Sequence, residues 1–310
     1  MDYKIDVIEK ERNKRLKVFK IMALISLGLL IVTIILFTIY SFQKNETLLT
    51  VSILFALITL VIFIISFAIP SSGYDKFVKE NLEHAIMCDV FKANQFNYEE
   101  KNGISFNEMN CAGIFRRPDE FETSDTIRTS YKGVQLVLSD YIFTRITRSV
   151  DSKGNTTTHH YPYPGRYMSF TINRDFKSGI AVIDKRNNND VIVTRPFKNS
   201  VDFESIEFNK KFYLTTTDKE KAFYLIRPKE IMDLLDLSKM YKGKIVCVII
   251  NHTIYFILAD TSVSFEFSLF KKINQEKIQD IYAYYELPLK IIDTLKLDSD
   301  RFNAKELDGK

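Results

Sequence analysis

Glycine is scarce in this chain, with only ten among its 310 residues. Neither the GxGxxG pattern nor a Walker A sequence is present. Both patterns depend on glycine because the backbone must approach a phosphate group closely. The sequence therefore gives no support to a nucleotide-binding site.

Cysteine is scarce as well. Cys88, Cys111 and Cys247 are far apart, and no CxxC pair occurs. An odd number of widely spaced cysteines does not form a disulfide framework. We predict three reduced thiols, as expected in the cytosol.

Charge of one sign is also lacking over most of the chain. The net charge is +4, and residues 1–20 account for three of these charges, with seven Lys or Arg against four Asp or Glu. The remainder is nearly neutral, which argues against nucleic acid as a partner. The basic residues from Lys10 to Lys20 either contact anionic lipid headgroups or only set the membrane topology.

Two long uncharged apolar runs are the most informative feature that is present. They cover residues 21–40 and 48–69. Each has about 20 residues, enough for a helix to cross a bilayer once. The short segment between them predicts a helical hairpin inserted in the lipid bilayer. A cleaved signal peptide is the main alternative for the first run, although that run is long and no small-residue cleavage site closes it.

The flanking charges predict the orientation. Seven basic residues precede the first run, whereas residues 41–47 carry only Lys44, offset by Glu46. Basic residues in short loops stay in the cytoplasm, so we expect both the N-terminus and the C-terminal domain there. The predicted location is the inner (cell) membrane, with two spans. The predicted domains are a basic N-terminal segment (1–20), a transmembrane hairpin (21–69), a connecting amphipathic helix (70–98) and a cytoplasmic α+β domain (99–310).

The C-terminal part is long enough to bury a sizeable core. Apolar residues at helical spacing predict a helix over residues 74–91. Alternating segments then predict an antiparallel sheet, with strands at 133–138, 141–147, 166–172, 179–183 and 191–194. Turns are predicted at 152–155 and 187–189, and residues 150–165 are expected to form an exposed loop.

Helix signals return further along the chain. Thr217 and Glu220 form a capping-box pattern, and Pro228 suits the first turn of a following helix. Strands at 244–250 and 253–258 flank a two-residue turn at Asn251 and His252, and a third strand is predicted at 264–267. Residues 273–297 are expected to be helical and bent at Pro288. The predicted fold class is therefore α+β, a mainly antiparallel sheet with flanking helices.

Several segments resemble a family of bacterial membrane proteins of unknown function, DUF3137. They are residues 204–212 (ESIEFNKKF), 217–218 (TD), Ala222, 224–225 (YL), 228–232 (PKEIM), 265–266 (FE) and 291–295 (IIDTL). The family also places apolar spans ahead of a helix like the one at Tyr74. The resemblance implies a shared architecture and carries over no catalytic residue. Members lie beside LemA-type membrane proteins in bacterial genomes, which implies a LemA-type partner.

No motif with metal-ligand spacing stands out. His84 and Cys88 share one face of the predicted helix, but two ligands do not make a site. His159 and His160 are adjacent, and adjacent residues seldom bind one ion together. We therefore predict no metal and no cofactor.

A cysteine nucleophile needs a histidine base near it. Cys247 lies in the apolar strand 245–250, where a thiol fills space, and nothing in the sequence fixes a partner for Cys111. We therefore assign no catalytic residue. A membrane-bound enzyme using Asp140, His84 and Cys111 is the alternative function. Transport is weaker, because neither span carries an ionisable residue.

One further segment suggests recognition. Residues 159–164 (HHYPYP) combine aromatic rings with two prolines, which suits a surface that contacts a protein or peptide. Turn structure alone explains them equally well. The predicted function is a membrane-anchored, non-enzymatic interaction or sensing module with a membrane-protein partner.

Overall fold

The computed structural model describes residues 2–91, 96–186, 193–241, 243–259, 265 and 267–303. The chain divides into two compact units. The helical unit comprises Met1–Lys92 and Phe265–Tyr285, and the sheet unit comprises Ala93–Ser264 and Glu286–Lys310. The predicted α+β class, with long apolar helices followed by a sheet, is confirmed.

The helical unit begins with two long helices, α1 (Asp2–Gln43) and α2 (Glu46–Ser71). Asn45 caps α2, since its side chain accepts a 3.0 Å hydrogen bond from the N–H of Thr47. Two helical stretches, Ile5–Gln43 and Glu46–Val90, are long and apolar enough to cross a membrane by length and composition. The predicted helical hairpin is therefore present.

Small hydroxyl residues lie where α1 packs against α2. The hydroxyls of Thr33 and Thr59 are 3.4 Å apart, and each also donates to a carbonyl of its own helix. Small side chains let two helix backbones approach closely. The other buried hydroxyl residues of these helices are Ser26, Ser52 and Ser66.

The predicted helix at 74–91 is confirmed as three consecutive helical segments. They are α3 (Tyr74–Val78), a π-helical turn (Lys79–Glu83) and α4 (His84–Val90). The sequence pattern gave no sign of the π-helical turn. Spacings of four place Tyr74, Val78, Leu82 and Ile86 on one buried face.

The described residues of the sheet unit form a nine-stranded sheet, and all of its strand pairs are antiparallel. Its spatial order is β1-β2-β3-β4-β9-β8-β5-β7-β6. The strands are β1 (Phe96–Lys101), β2 (Glu120–Tyr131), β3 (Val134–Val150), β4 (Thr156–Thr171), β5 (Ile180–Asp184), β6 (Asn199–Ser200), β7 (Phe212–Thr216), β8 (Lys244–Ile250) and β9 (Thr253–Ala259).

Several predicted strand limits were wrong. The two strands predicted at 133–138 and 141–147 are one continuous strand, β3. The expected loop at 150–165 is mostly the first half of β4, which pairs with β3 throughout. The predicted turn at 187–189 and the first half of the predicted strand at 191–194 lie outside the described residues, and Val193 forms only an isolated bridge with Phe115.

One face of the sheet carries an aromatic core. Tyr141 and Phe143 of β3 have ring centroids 4.5 Å apart, and Phe115 stacks edge-on against both. Gly165 is the register partner of Tyr141. A Cβ atom on Gly165 would lie only 2.3 Å from the Tyr141 hydroxyl oxygen, so the tyrosine ring fills the space that a side chain would need.

The other helices in the described part of the chain are α5 (Phe106–Met109), α6 (Ile206–Lys211), α7 (Lys219–Leu225), α8 (Pro228–Met240), α9 (Gln275–Leu295) and α10 (Asp300–Asn303). The predicted capping box is wrong by one residue, because Asp218 caps α7 by accepting from the N–H groups of Glu220 and Lys221. The hydroxyl of Thr217 instead accepts from the N–H of Gly179 at 2.8 Å.

A predicted helix start and a predicted hairpin turn are confirmed. Pro228 begins α8, and the Glu230 carboxylate accepts a 3.0 Å bond from the N–H of Arg227 before it. Asn251 and His252 connect β8 to β9, with a φ of 52° at Asn251. The predicted strand at 264–267 falls partly on residues outside the described ones, and Phe267 belongs to no strand.

Candidate functional site

Strands β3 and β4 continue past the ends of both neighbouring strands. Pairing of β2 with β3 ends at Glu120 and Thr144, and pairing of β9 with β4 ends at Ala259 and Gly165. Beyond these points, among the residues that the structure describes, β3 and β4 pair only with each other, from Arg145–Tyr161 to Val150–Thr156. We call residues 145–161 the ribbon.

A short turn closes the ribbon. The Asp151 carboxylate accepts hydrogen bonds from the N–H groups of Lys153 and Asn155 and from the Asn155 side chain. The Asn155 side chain is the main reason why the pKa of Asp151 lies below its usual value. Gly154 has a φ of 80°, a conformation that glycine adopts without strain. The predicted turn at 152–155 is therefore confirmed.

The two faces of the ribbon differ in chemistry. His159 and Tyr161 lie on one face with their rings 6.3 Å apart, and this face continues the aromatic side of the sheet. Their partners across the ladder are Thr147 and Arg145. Tyrosine and arginine are enriched at protein interfaces, so this face has the composition of a contact surface.

The opposite face is mixed. His160 lies there with its Nδ1 atom 3.8 Å from a carboxylate oxygen of Glu120. Val150, 67% exposed, lies on the same face. From Ser149 to Tyr161 every residue is exposed, so this part of the ribbon is open on both faces.

The two edges of the ribbon can be derived from the register. The carbonyl of Thr144 and the N–H of Ile146 both bond to Asp119, so even-numbered residues of β3 present their backbone to the outside. Antiparallel strands alternate in this respect, so odd-numbered residues of β3 bond to odd-numbered residues of β4. The backbone groups of Thr156, Thr158 and His160 on β4 therefore face outward.

Prolines occupy the next two outward positions of β4. Pro162 and Pro164 have no N–H to donate, so they cost no ladder bond where they stand. An edge strand accepts proline only at such positions.

The other candidate residues belong to elements other than β3 and β4 or lie outside residues 145–161. His84 lies 3.7 Å from Cys88 on α4, as predicted from their spacing. Within the described part of the chain no group of three or more His, Cys, Asp or Glu side chains could hold a metal ion.

Three candidate residues lie elsewhere in the sheet unit. Cys247 is buried in β8, and burial raises the pKa of its thiol to about 12. Cys111 is exposed, and its sulfur is 2.6 Å from the hydroxyl of Tyr255 on the aromatic face. Asp140 projects to the opposite face and is buried against Arg166. Cys111 and Asp140 therefore cannot act on one substrate atom.

Sequence reasoning identified part of the ribbon but assigned it the wrong structure. The residues at 159–164 were recognised as a surface segment, whereas Arg145 and Thr147, which face them, were not connected with it. One signal was available: Thr156, Thr157 and Thr158 are β-branched residues, which favour strands over loops.

Comparison with known proteins confirms the resemblance described above. Residues 163–297 match the model of DUF3137, a protein of unknown function. The matched segment thus begins within β4, and the ribbon lies before it. No curated protein matches the chain.

One solved structure is similar, the crystal structure of the mycobacterial trehalose monomycolate transport factor A, TtfA. The sequence identity is 8%, and the match covers 69% of this chain and 95% of that one with a TM-score of 0.34. A similarity at this level carries no argument about function.

Proposed function

We propose that this protein is a membrane-anchored, non-enzymatic interaction module, and that the ribbon is the surface by which it contacts a protein partner. The observation that carries the proposal is the extension of β3 and β4 beyond their neighbours. A two-stranded ribbon is marginally stable by itself, so its projection from a large sheet is best explained by contacts that it makes.

The anchor is the helical hairpin of α1 and α2. Its sequence supports a position in the inner membrane with the N-terminus and the sheet unit in the cytoplasm, because basic residues precede α1 while Lys44 and Glu46 offset each other between the helices. Anchoring raises the local concentration of the ribbon near other membrane proteins, so a weak contact suffices. A LemA-type membrane protein is the first partner that we propose, from the family resemblance.

The orientation is tested by cysteine labelling with a membrane-impermeant maleimide. Gln43→Cys introduces a thiol at the end of α1, and native Cys111 is an exposed thiol of the sheet unit. We expect the maleimide to react at position 43 in cells whose outer envelope has been permeabilised while the inner membrane is intact. We expect it to react with Cys111 only after the inner membrane has been permeabilised as well. Labelling of Cys111 from outside would reverse the proposed orientation.

The contact is tested by photo-crosslinking in cells. A benzoylphenylalanine residue replaces Tyr161 in the ribbon or, as a control, Met240 of α8, which is 63% exposed. We expect an adduct with a different membrane protein from position 161 and none from position 240. Equal adducts from both positions would show that the ribbon is not the contact surface.

A further inference from the structure

We infer that two copies of this protein pair through their ribbons, with β4 of one copy lying antiparallel beside β4 of the other. The pair forms a four-stranded sheet in the order β3, β4, β4 of the second copy and β3 of the second copy. This inference goes beyond the proposed function, and it depends on the edge of the ribbon rather than on its aromatic face.

The backbone of the β4 edge is self-complementary. The outward-facing residues Thr156, Thr158 and His160 are symmetric about Thr158, with the turn before them and Pro162 after them. A two-fold axis at Thr158 pairs it with Thr158 of the second copy and pairs Thr156 with the second copy's His160. Every outward N–H and C=O of the three residues then has a partner, as an isologous dimer requires.

The side chains of this edge also permit its pairing with a second copy. Residues 156–160 (TTTHH) contain no Asp, Glu, Lys or Arg. Threonine pairs across antiparallel strands are favourable, and like charges placed directly opposite each other are unfavourable. When two such edges pair, no permanently charged side chains lie opposite each other. Charge repulsion therefore does not oppose the pairing of this edge with the same edge of a second copy.

The β3 edge lacks this complementarity. The Asp119 carboxylate already accepts a hydrogen bond from the N–H of Ile146, and the N–H of Asp119 donates one to the carbonyl of Thr144. Arg148 follows on the same edge. Charged residues on an edge strand oppose strand addition, and a self-pair through this edge would bring two Arg148 side chains close together. In the β4 pair the two β3 strands are outermost, about 14 Å apart, which exceeds the Debye length of about 8 Å in physiological salt.

The test uses the full chain in its native membrane, with Cys88 and Cys111 replaced by serine. In the proposed pair the two Cα atoms of residue 158 are about 5.5 Å apart, a distance that a disulfide spans. We expect Thr158→Cys to form an intermolecular disulfide under mild oxidation. Two matched controls should not crosslink: Thr157→Cys on the same strand, out of register, and Arg148→Cys on the other edge.

A second pair of variants distinguishes the contribution of the backbone N–H of residue 158 to dimer formation from that of its side chain. Thr158→Pro removes the central outward N–H without disturbing the β3–β4 ladder, whereas Thr158→Val keeps that N–H. We expect proline to raise the dimer dissociation constant, measured by native mass spectrometry in nanodiscs, by about tenfold or more, and valine to change it less than about threefold. Circular dichroism checks that both variants are folded.

Three results would overturn the inference. They are a monomer at all concentrations without a Thr158→Cys disulfide, a disulfide through Arg148→Cys instead, and a dimer unaffected by Thr158→Pro. The last would place the dimer contact elsewhere in the chain. If the dimer forms but photo-crosslinking from position 161 gives no adduct with a different protein, the proposed function is contradicted and the dimer is not. The failure of the dimer and the failure of the proposed function can therefore be distinguished.

Discussion

The Nε atom of Arg166 donates a 3.0 Å hydrogen bond to Oδ1 of Asp140, and both side chains are almost completely buried. The two residues are register partners on β4 and β3, close to the point where the ribbon leaves the sheet. A buried ion pair is expensive to desolvate, and removing one member leaves the other charge uncompensated.

This relationship predicts strong coupling between the two positions. Asp140→Val and Arg166→Met should each lower the free energy of unfolding by about 3–5 kcal/mol, because each breaks a buried ion pair by removing one member. The double variant should lose less than either single variant, since no charge remains to be solvated. Chemical unfolding of the full chain in detergent, followed by near-UV circular dichroism, measures all four proteins. Additive losses would show that the pair is not coupled.

A pH dependence follows from the same pair. Burial raises the pKa of Asp140 to about 7, and Arg166 only partly offsets this effect. The folded protein therefore holds this proton more tightly than the unfolded chain, so the contribution to stability is greatest below about pH 4 and is lost as the pH rises through about 7. Between pH 5 and pH 8 the wild-type protein should lose more stability than Asp140→Val. An equal change in both would assign the pH effect to other groups.

Gly165 should be intolerant of any side chain. Gly165→Ala places a Cβ atom 2.3 Å from the Tyr141 hydroxyl oxygen and 2.8 Å from the carbonyl oxygen of Leu258. We expect a loss of about 3 kcal/mol, which would lower the melting temperature by about 6–12 °C. Gly28→Ala is the matched control, because nothing lies within 4 Å of its added Cβ atom. A thermal shift equal to that of the control would mean that β3 and β4 separate easily at this point.

The thiols should differ widely in reactivity. Burial raises the pKa of Cys247 to about 12, whereas Cys111 is exposed. Because the thiolate is the reactive form and Cys247 is buried, iodoacetamide at pH 8 should modify Cys247 much more slowly than Cys111. Peptide mass spectrometry measures both sites in one sample, with unfolded protein as the control. Comparable rates in the folded protein would indicate opening of β8.

The ribbon should be dispensable for folding. Arg145 and Tyr161 form a hydrogen-bonded pair, so the dipeptide Asn-Gly can replace residues 146–160 and close a two-residue hairpin. We expect a melting temperature within about 4 °C of the wild-type value, since almost all of the removed side chains are exposed. Differential scanning calorimetry tests this, and the same variant should lose the partner adducts. A large destabilisation would make the ribbon part of the core instead.

The sequence allowed the long helices and the antiparallel class to be predicted, because apolar runs and alternation are local signals. It did not reveal β2, whose polar residues, such as Thr123 and Ser124, alternate too weakly to indicate a strand. The ribbon was mistaken for a loop because Pro162 and Pro164 usually exclude strands. Only the register shows that both prolines stand where no ladder bond is needed.

The helix start at Asp218 shows a similar limit. Thr217 fits the capping pattern, but its hydroxyl is engaged by the N–H of Gly179, which is distant in sequence. Asp218 then caps the helix in its place. A tertiary contact thus decided between two adjacent residues that the local sequence could not distinguish.

Strand addition is blocked at Pro162 and Pro164 on the β4 edge and by Asp119 on the β3 edge. This also limits how far an assembly of this protein can grow through the ribbon. A ribbon that offers one usable strand edge can be joined once, after which neither outer strand of the four-stranded sheet accepts another ribbon. Fibrils need two open edges on every subunit. Crowding of this protein in a membrane should therefore yield closed pairs at this surface, and no filament.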